Sequence, residues 1–274
     1  MTPSDNRKER FLEQDFLTSP QPEESKHPYS RSDNFLEYFG NKNFRTSWMT
    51  YVSLVVIVLF AGQAFLGNPL EFFANLTEPI RLIFYIWTII SLWVLYGIIY
   101  LAIRLEKSDV TGIGLVKIRF IDYLRGLSIL LTLFVVASFV NYWMFQLGFE
   151  VPKEVENFLP QKLPGKLLWV VMSFTAGFCE ETVFRGYLMT RIRLLGNFSG
   201  WTIPVIISAL LFGIPHLYQG FAGVVVISIL GAIFSISYIY YKSIWPAIIA
   251  HFFLDFLNLF IPWFESVYER IMHS

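Results

Sequence analysis

Two adjacent glutamates, Glu180 and Glu181, share an apolar stretch with Arg185, and this stretch runs from about residue 167 to residue 188. A charged side chain at the centre of a bilayer costs about 3 kcal/mol on insertion scales. Three ionisable groups in a segment that is otherwise suited to lipid therefore indicate a functional site. The structural alternative is a charge cluster that only holds helices together. Two acids beside one base, however, leave a buried carboxylate unpaired.

Two later apolar stretches carry polar groups of their own, His216 in one and His251 with Asp255 in the other. At about 1.5 Å of rise per residue, Glu180, His216 and Asp255 lie roughly 18 to 22 Å from the ends of their helices that we assign to the cytoplasmic side. His251 precedes Asp255 by four residues, so both lie on one helix face. The matching depths predict one site built from three helices.

A carboxylate, two imidazoles and a second carboxylate at one depth suit the activation of water for attack on a carbonyl carbon. In this reading Glu180 is the general base, and His216 and His251 orient the water or stabilise the oxyanion. The same side chains, His216, His251, Asp255 and Glu180, are also a donor set for zinc, which would activate the water as a metal ligand. The residue types alone leave both routes open.

Glu181 and Arg185 are spaced as i and i+4, which predicts an ion pair on one helix face. Glu180 is turned about 100° away by the helical period and should face the other polar groups. Cys179 adjoins Glu180, but an apolar setting makes a thiol unreactive. As the single cysteine of the chain, it also excludes an internal disulfide.

The composition is that of a membrane protein, because 55% of the 274 residues are hydrophobic and only 15% are charged, whereas soluble domains have about a quarter charged. The net charge is zero, and no long basic block indicates a nucleic-acid partner. We therefore predict an all-α polytopic membrane bundle in contact with lipids. Runs of roughly 20 apolar residues predict about seven transmembrane helices, at 48–66, 80–103, 122–147, 166–190, 201–217, 221–241 and 244–264.

The domain organisation follows from these spans. Residues 1–46 are polar and of mixed charge, which predicts a disordered cytoplasmic tail. Residues 47–265 form the predicted transmembrane domain, and residues 266–274 form a short C-terminal tail. The inner side is the one that receives most of the basic residues of the loops, which are Lys42, Arg45, Arg104, Lys107, Lys117, Arg119, Arg191, Arg193 and Lys242. An N-terminus inside and seven spans would put the C-terminus outside.

The polar residues of the apolar segments also fall into three ordered motifs. They are Glu-Glu-x-x-x-Arg at 180–185, Phe-x-x-x-His at 212–216 and His-x-x-x-Asn/Asp at 251–255. In this order, on successive membrane segments, they resemble the CAAX-protease and bacteriocin-processing (CPBP) family of intramembrane endopeptidases, which includes the type II CAAX prenyl endopeptidases. The resemblance covers about residues 166–260.

The resemblance implies hydrolysis of a peptide bond in a membrane-associated protein or peptide, with or without a lipid attached. Glu180 would be the catalytic glutamate, with His216, His251 and Asp255 around the water and with Glu181, Arg185 and Phe212 in support. It implies a glutamate-type protease without a cofactor, although the family was first described as metalloproteases. Prenyl endopeptidases carry Asn where this chain has Asp255, whereas many bacterial members carry Asp, so we expect a bacterial cell membrane.

Two other functions fit a polytopic protein with such residues. A catalytically silent member of the family would act as a membrane scaffold or bacteriocin-immunity protein, but the intact Glu180, His216 and His251 argue against that role. Buried Glu, His and Asp also make the proton relays of proton-coupled transporters. Transporters are typically built from inverted repeats, whereas here the polar segments cluster in the C-terminal part of the chain.

Overall fold

The protein is built from apolar helices, which satisfy their backbone hydrogen bonds internally where lipid replaces water. The computed structural model describes residues 45–260. Among them no strand occurs, which confirms the all-α prediction. The α-helices are α1 (Trp48–Gly62), α2 (Pro69–Ala74), α3 (Glu78–Leu105), α4 (Phe120–Gln146), α5 (Leu163–Glu180), α6 (Met189–Leu195), α7 (Thr202–Gly213), α8 (Gly220–Tyr241) and α9 (Trp245–Leu257).

Within residues 45–260 the predicted membrane segments are largely helical, but they differ in length. Five helical stretches in the described part of the chain are long and apolar enough to cross a bilayer, and a shorter apolar stretch, Trp245–Phe260, follows them. The long stretches are Trp48–Phe65, Glu78–Leu105, Phe120–Gln146, Leu163–Leu195 and Thr202–Tyr241. The last of these contains the fifth and sixth predicted spans, and Trp245–Phe260 corresponds to the seventh.

The stretch Thr202–Tyr241 doubles back on itself at a 3₁₀ turn, Ile214–Gln219. A Cβ atom on Gly213 would lie 2.8 Å from the carbonyl oxygen of Val224, and one on Gly231 would lie 3.4 Å from Cα of Ala209. These contacts pair the end of α7 with the start of α8, so the two helices are antiparallel. With 12 residues, α7 is only about 18 Å long, and α9 is similar with 13 residues.

The helix that carries the two glutamates changes its winding where they occur. α5 passes at Glu181 into a π-helical segment, Glu181–Leu188, and then into α6. π-helical turns have wider i→i+5 hydrogen bonding and are frequent at functional sites. Ser208 of α7 donates a hydrogen bond of 2.8 Å to the carbonyl oxygen of Phe184, inside this segment. A side chain from a neighbouring helix thus satisfies backbone in the altered turn.

Glycine allows α5 and α9 to pack closely beside the site. A Cβ atom on Gly177 would lie 3.0 Å from the backbone nitrogen of Phe252 and 3.1 Å from the carbonyl oxygen of Ile248. Such distances are too short for an ordinary carbon contact. The backbone of α9 therefore approaches α5 one turn before the glutamates.

The connector before α5 packs against the bundle through aromatic rings. Phe158 contacts Tyr85 and Trp169 edge to face, with ring centroids 5.4 and 5.3 Å apart. The hydroxyl of Tyr85 donates to the carbonyl of Phe158, and Arg81 Nε donates to the carbonyl of Asn157 at 2.9 Å. These contacts anchor the connector before α5. The predicted tails, 1–46 and 266–274, lie outside the described residues except for positions 45 and 46.

Candidate active site

The centre of the site is a buried ionic chain of three side chains, Arg185, Glu181 and His251. Glu181 Oε1 lies 2.9 Å from Arg185 Nη1 and 2.9 Å from His251 Nδ1. The side chains of Glu181 and Arg185 have no exposed surface, and that of His251 is 7% exposed. The predicted pair of Glu181 with Arg185 is present, and the same carboxylate also accepts from the histidine.

Aromatic rings cover the charged group of Arg185. Its Cζ atom lies 3.9 Å from the ring centroid of Phe212 and 5.2 Å from that of Phe234. Among the residues that the structure describes, Nε and Nη2 of Arg185 have no hydrogen-bond partner. The π faces stabilise a desolvated guanidinium electrostatically. Phe212, predicted to have a supporting role, lies against this charge.

Glu180 is the accessible carboxylate of the pair. Its side chain is 18% exposed, and Oε2 lies 3.9 Å from Nε2 of His251. Asp255 is 31% exposed, and its Oδ2 lies 3.5 Å from the same nitrogen. His251 therefore lies between three carboxylates, with Nδ1 towards Glu181 and Nε2 towards Glu180 and Asp255. A water or substrate can reach Glu180 and Asp255, whereas Glu181 is sealed from both.

His216 lies in the 3₁₀ turn after α7. Its Nδ1 is 3.1 Å from the carbonyl oxygen of Phe212, and because a carbonyl only accepts, this nitrogen carries the proton. The ring contacts those of Phe212 and Tyr218, with centroids 5.6 and 5.9 Å away. Within residues 45–260, no hydrogen bond or ion pair joins His216 to Glu180. The structure thus joins His251, Glu180 and Asp255, with His216 linked to them through the ring of Phe212.

The side chains as placed do not fit a metal site. In the described part of the chain, no group of three or more His, Cys, Asp or Glu side chains is arranged to hold a metal ion. We derive no step through a metal from this geometry.

Three contacts of the site were absent from the sequence prediction. Glu181 was assigned to Arg185 alone, without His251. Phe234 of α8 stacks on the His251 ring, with centroids 5.4 Å apart and planes at 22°. Trp169 Nε1 donates to the carbonyl oxygen of Asp255 at 2.9 Å and so joins α5 to α9. No motif marks Phe234, one of 28 phenylalanines in the chain.

Cys179 takes no part in the site. It is fully buried and packs with Leu92 and Ala176 in an apolar cluster between α3 and α5. Its neighbour along the chain, Glu180, lies beside His251 instead. The prediction of an unreactive thiol agrees with this environment.

A bundle of apolar helices around buried glutamate and histidine side chains defines the class of integral membrane proteins with an intramembrane polar site. Residues 162–257 match the family described as type II CAAX prenyl endopeptidase Rce1-like. This segment contains all three motifs and every residue of the ionic chain, and over it the chain is similar to the CAAX-protease (CPBP) family, a family of proteases. Comparisons with curated proteins and with solved structures gave no match.

Proposed function

We propose that the protein is an intramembrane endopeptidase in which Glu180 activates water for attack on a peptide bond. The observation that supports this most directly is that the two ring nitrogens of His251 face different glutamates. Nδ1 is bonded to the buried Glu181, and Nε2 lies 3.9 Å from the partly exposed Glu180. A general base must be reachable by water, and the side chain of Glu180 is 18% exposed, whereas that of Glu181 is sealed.

In the proposed reaction, Glu180 takes a proton from water as the water oxygen bonds to the carbonyl carbon. The carbonyl becomes an oxyanion, which Nε2–H of His251, protonated on both ring nitrogens, stabilises. Nε2 of His216, which carries no proton, can accept a hydrogen bond from the attacking water. The intermediate then breaks its carbon–nitrogen bond, and the proton held by Glu180 passes to the leaving amine. The products are a carboxyl group and an amino group, so one water is consumed for each bond cleaved.

The charged side chains around the proposed water set the electrostatic environment of the reaction. Arg185 neutralises Glu181. The region beside His251 therefore holds one compensated carboxylate together with Asp255 and the reactive Glu180. Low dielectric strengthens each of these interactions relative to water. We propose that this chain needs no cofactor, as the similarity to glutamate-type proteases implies.

The substrate class follows from the setting of the site. Glu180 lies within a helical stretch long and apolar enough to span a bilayer, Leu163–Leu195. We therefore propose a membrane-associated protein or peptide as substrate, with or without a lipid, surrounded by membrane lipids, and no nucleic acid. We also propose a bacterial cell membrane with a cytoplasmic N-terminus. The inner loops hold most of the basic residues, which supports that orientation.

The test is peptide cleavage by the purified protein in liposomes. The substrates are a quenched fluorogenic peptide with a farnesylated cysteine three residues from its C-terminus and the same peptide without the farnesyl group. Wild type, Glu180→Gln and a matched control, Glu156→Gln, are compared. Glu156 is exposed in the connector before α5. We expect Glu180→Gln to lose about 1,000-fold or more in kcat and the control to retain wild-type rates. Full cleavage by Glu180→Gln would contradict the general-base role.

A chelator added to the same assay tests the cofactor proposal. Because we propose no resident metal, prior treatment with 1,10-phenanthroline should leave kcat unchanged. Loss of cleavage that zinc restores would overturn this part of the proposal. No cleavage by wild type, with normal function of Glu180→Gln in cells, would instead favour a scaffold or immunity protein. Proton flux that depends on Glu180 would favour a transporter.

A further inference from the structure

A second buried ionic cluster lies outside the proposed active site, around Glu106 at the C-terminal end of α3. Glu106 is 1% exposed. Its Oε2 accepts from Nη2 and Nε of Arg191 at 2.5 and 3.2 Å. Its Oε1 accepts from the hydroxyls of Thr50 at 2.7 Å and Tyr187 at 2.9 Å. Four donors from three parts of the chain thus converge on one carboxylate.

Two of these donors belong to the helix that carries the catalytic motif. Tyr187 is in the π-helical segment, and Arg191 follows in α6. The hydroxyl of Tyr187 also lies 2.8 Å from Oγ of Ser53 in α1, and Arg191 Cζ lies 4.4 Å from the Tyr187 ring centroid. Residues of α1 and at the end of α3 therefore bond to the C-terminal end of the segment, while His251 bonds to Glu181 at its N-terminal end.

Such a cluster is a poor device for stability alone. Burying an ion pair requires removing water from two charges, and well-packed apolar residues are often as stabilising or more so. Apolar contacts between α1, α3 and the π-helical segment are already extensive, as in the core formed by Ile57, Ile99 and Val183. Directional bonds add what apolar contacts lack, which is a fixed rotation of one helix relative to another.

Rotation matters here because each residue advances a helix by about 100°. A π-helical segment contains one residue more per turn than its α-helical alternative, so its conversion to α-helix would rotate one flank against the other. Glu180 and Glu181 lie at one flank, and Tyr187 and Arg191 at or beyond the other. We propose that Glu106 is a positioning residue, which holds Tyr187 and Arg191 so that the π-helical segment aims Glu180 and Glu181 at His251. This inference rests on the proposed function of that site.

The test separates positioning from stability by a double replacement. Glu106→Leu and Arg191→Leu each leave a buried charge alone and should lower the melting temperature. The double variant removes both charges and should recover most of that loss, yet Tyr187 still lacks its bond to Glu106. We expect kcat for the peptide cleaved by wild type to stay about 100-fold low in the double variant, with KM within about twofold of wild type. Recovery of kcat together with the melting temperature would overturn the proposal.

Tyr187→Phe removes one hydroxyl and should give the same separation of kcat from KM. The matched control is Tyr85→Phe, which also removes a buried hydroxyl that donates a hydrogen bond, but one that holds the connector before α5. We expect similar losses of melting temperature in both and a loss of kcat in Tyr187→Phe alone. Equal kcat in the two variants would contradict a positioning role.

Hydrogen exchange provides a readout that does not need catalysis. Backbone amides of residues 181–188 should exchange faster in Tyr187→Phe and in the double variant than in wild type and Tyr85→Phe. Unchanged exchange there overturns the positioning role even if wild type is an active protease. Altered exchange with no cleavage by wild type supports the positioning role and contradicts the proposed function, so the two failures are distinguishable.

Discussion

Glu181 Oε1 lies 2.9 Å from Nδ1 of His251, although the two residues are 70 positions apart in the chain. A carboxylate bonded to one imidazole nitrogen orients the ring and leaves the other nitrogen for chemistry. The adjacent glutamates therefore have different environments. Glu181 is sealed and bonded twice, and Glu180 faces the free nitrogen with part of its surface exposed.

Glu181→Gln should impair both catalysis and stability. The amide keeps an acceptor for His251 but no negative charge for Arg185, and an unpaired buried charge costs about 3 to 5 kcal/mol. We expect kcat to fall about 100-fold or more, as when the carboxylate that orients a catalytic histidine is replaced by an amide. The measurements are kcat in liposomes and the melting temperature in detergent.

The control for this prediction is the double variant Glu181→Gln with Arg185→Gln. It removes the unpaired charge and should regain stability, while kcat stays low because His251 still lacks its carboxylate. A double variant with wild-type kcat would show that Glu181 acts only through stability.

Arg185→Lys should destabilise the protein although it conserves the charge. The planar guanidinium lies 3.9 Å from the ring centroid of Phe212 while Nη1 bonds to Glu181, and an ammonium group cannot reproduce both contacts. We expect a loss of about 2 kcal/mol in the free energy of unfolding, since desolvated cation–π contacts reach this size. Arg104→Lys, at an exposed position near the end of α3, should change it by less than about 0.5 kcal/mol. Equal effects of the two substitutions would contradict the role of the ring contact.

Gly177→Ala should push α9 away from α5. The new Cβ atom would lie 3.0 Å from the backbone nitrogen of Phe252, and such overpacking typically costs about 1 to 3 kcal/mol. His251 lies one residue before Phe252, so its bond to Glu181 should lengthen and kcat should fall. Thermal unfolding and the cleavage assay measure the two effects.

Gly97→Ala is the matched control, since a Cβ atom at this position of α3 meets no atom within 4 Å. It should leave kcat unchanged and stabilise the helix by about 0.5 to 1 kcal/mol. If Gly177→Ala behaved in the same way, the close approach of α5 and α9 would not be required for the site.

Asp255→Asn should preserve most of the activity. Asp255 Oδ2 lies 3.5 Å from Nε2 of His251, and an amide oxygen can occupy the same position and accept from that nitrogen. We expect kcat within about tenfold of wild type for Asp255→Asn, but a loss of about 100-fold for Asp255→Leu, which removes the acceptor. Similar rates in both variants would exclude a role for this acceptor.

The sequence by itself determined the apolar helices, the three polar segments and the pairing of Glu181 with Arg185. Each of these depends on spacing along one helix, and helical geometry converts spacing into a face and a depth. The predicted all-α bundle follows from the same reasoning, because an apolar segment in lipid must satisfy its own backbone.

The tertiary structure alone decided which glutamate bonds to His251, which rings cover Arg185 and where α7 turns back into α8. The rotation of each helix about its axis settles these contacts, and packing of many apolar side chains sets that rotation. The π-helical winding from Glu181 to Leu188 adds a further rotation that no α-helical periodicity contains. The distances between residues far apart in the chain therefore depend on tertiary packing, and their spacing in the sequence does not specify them.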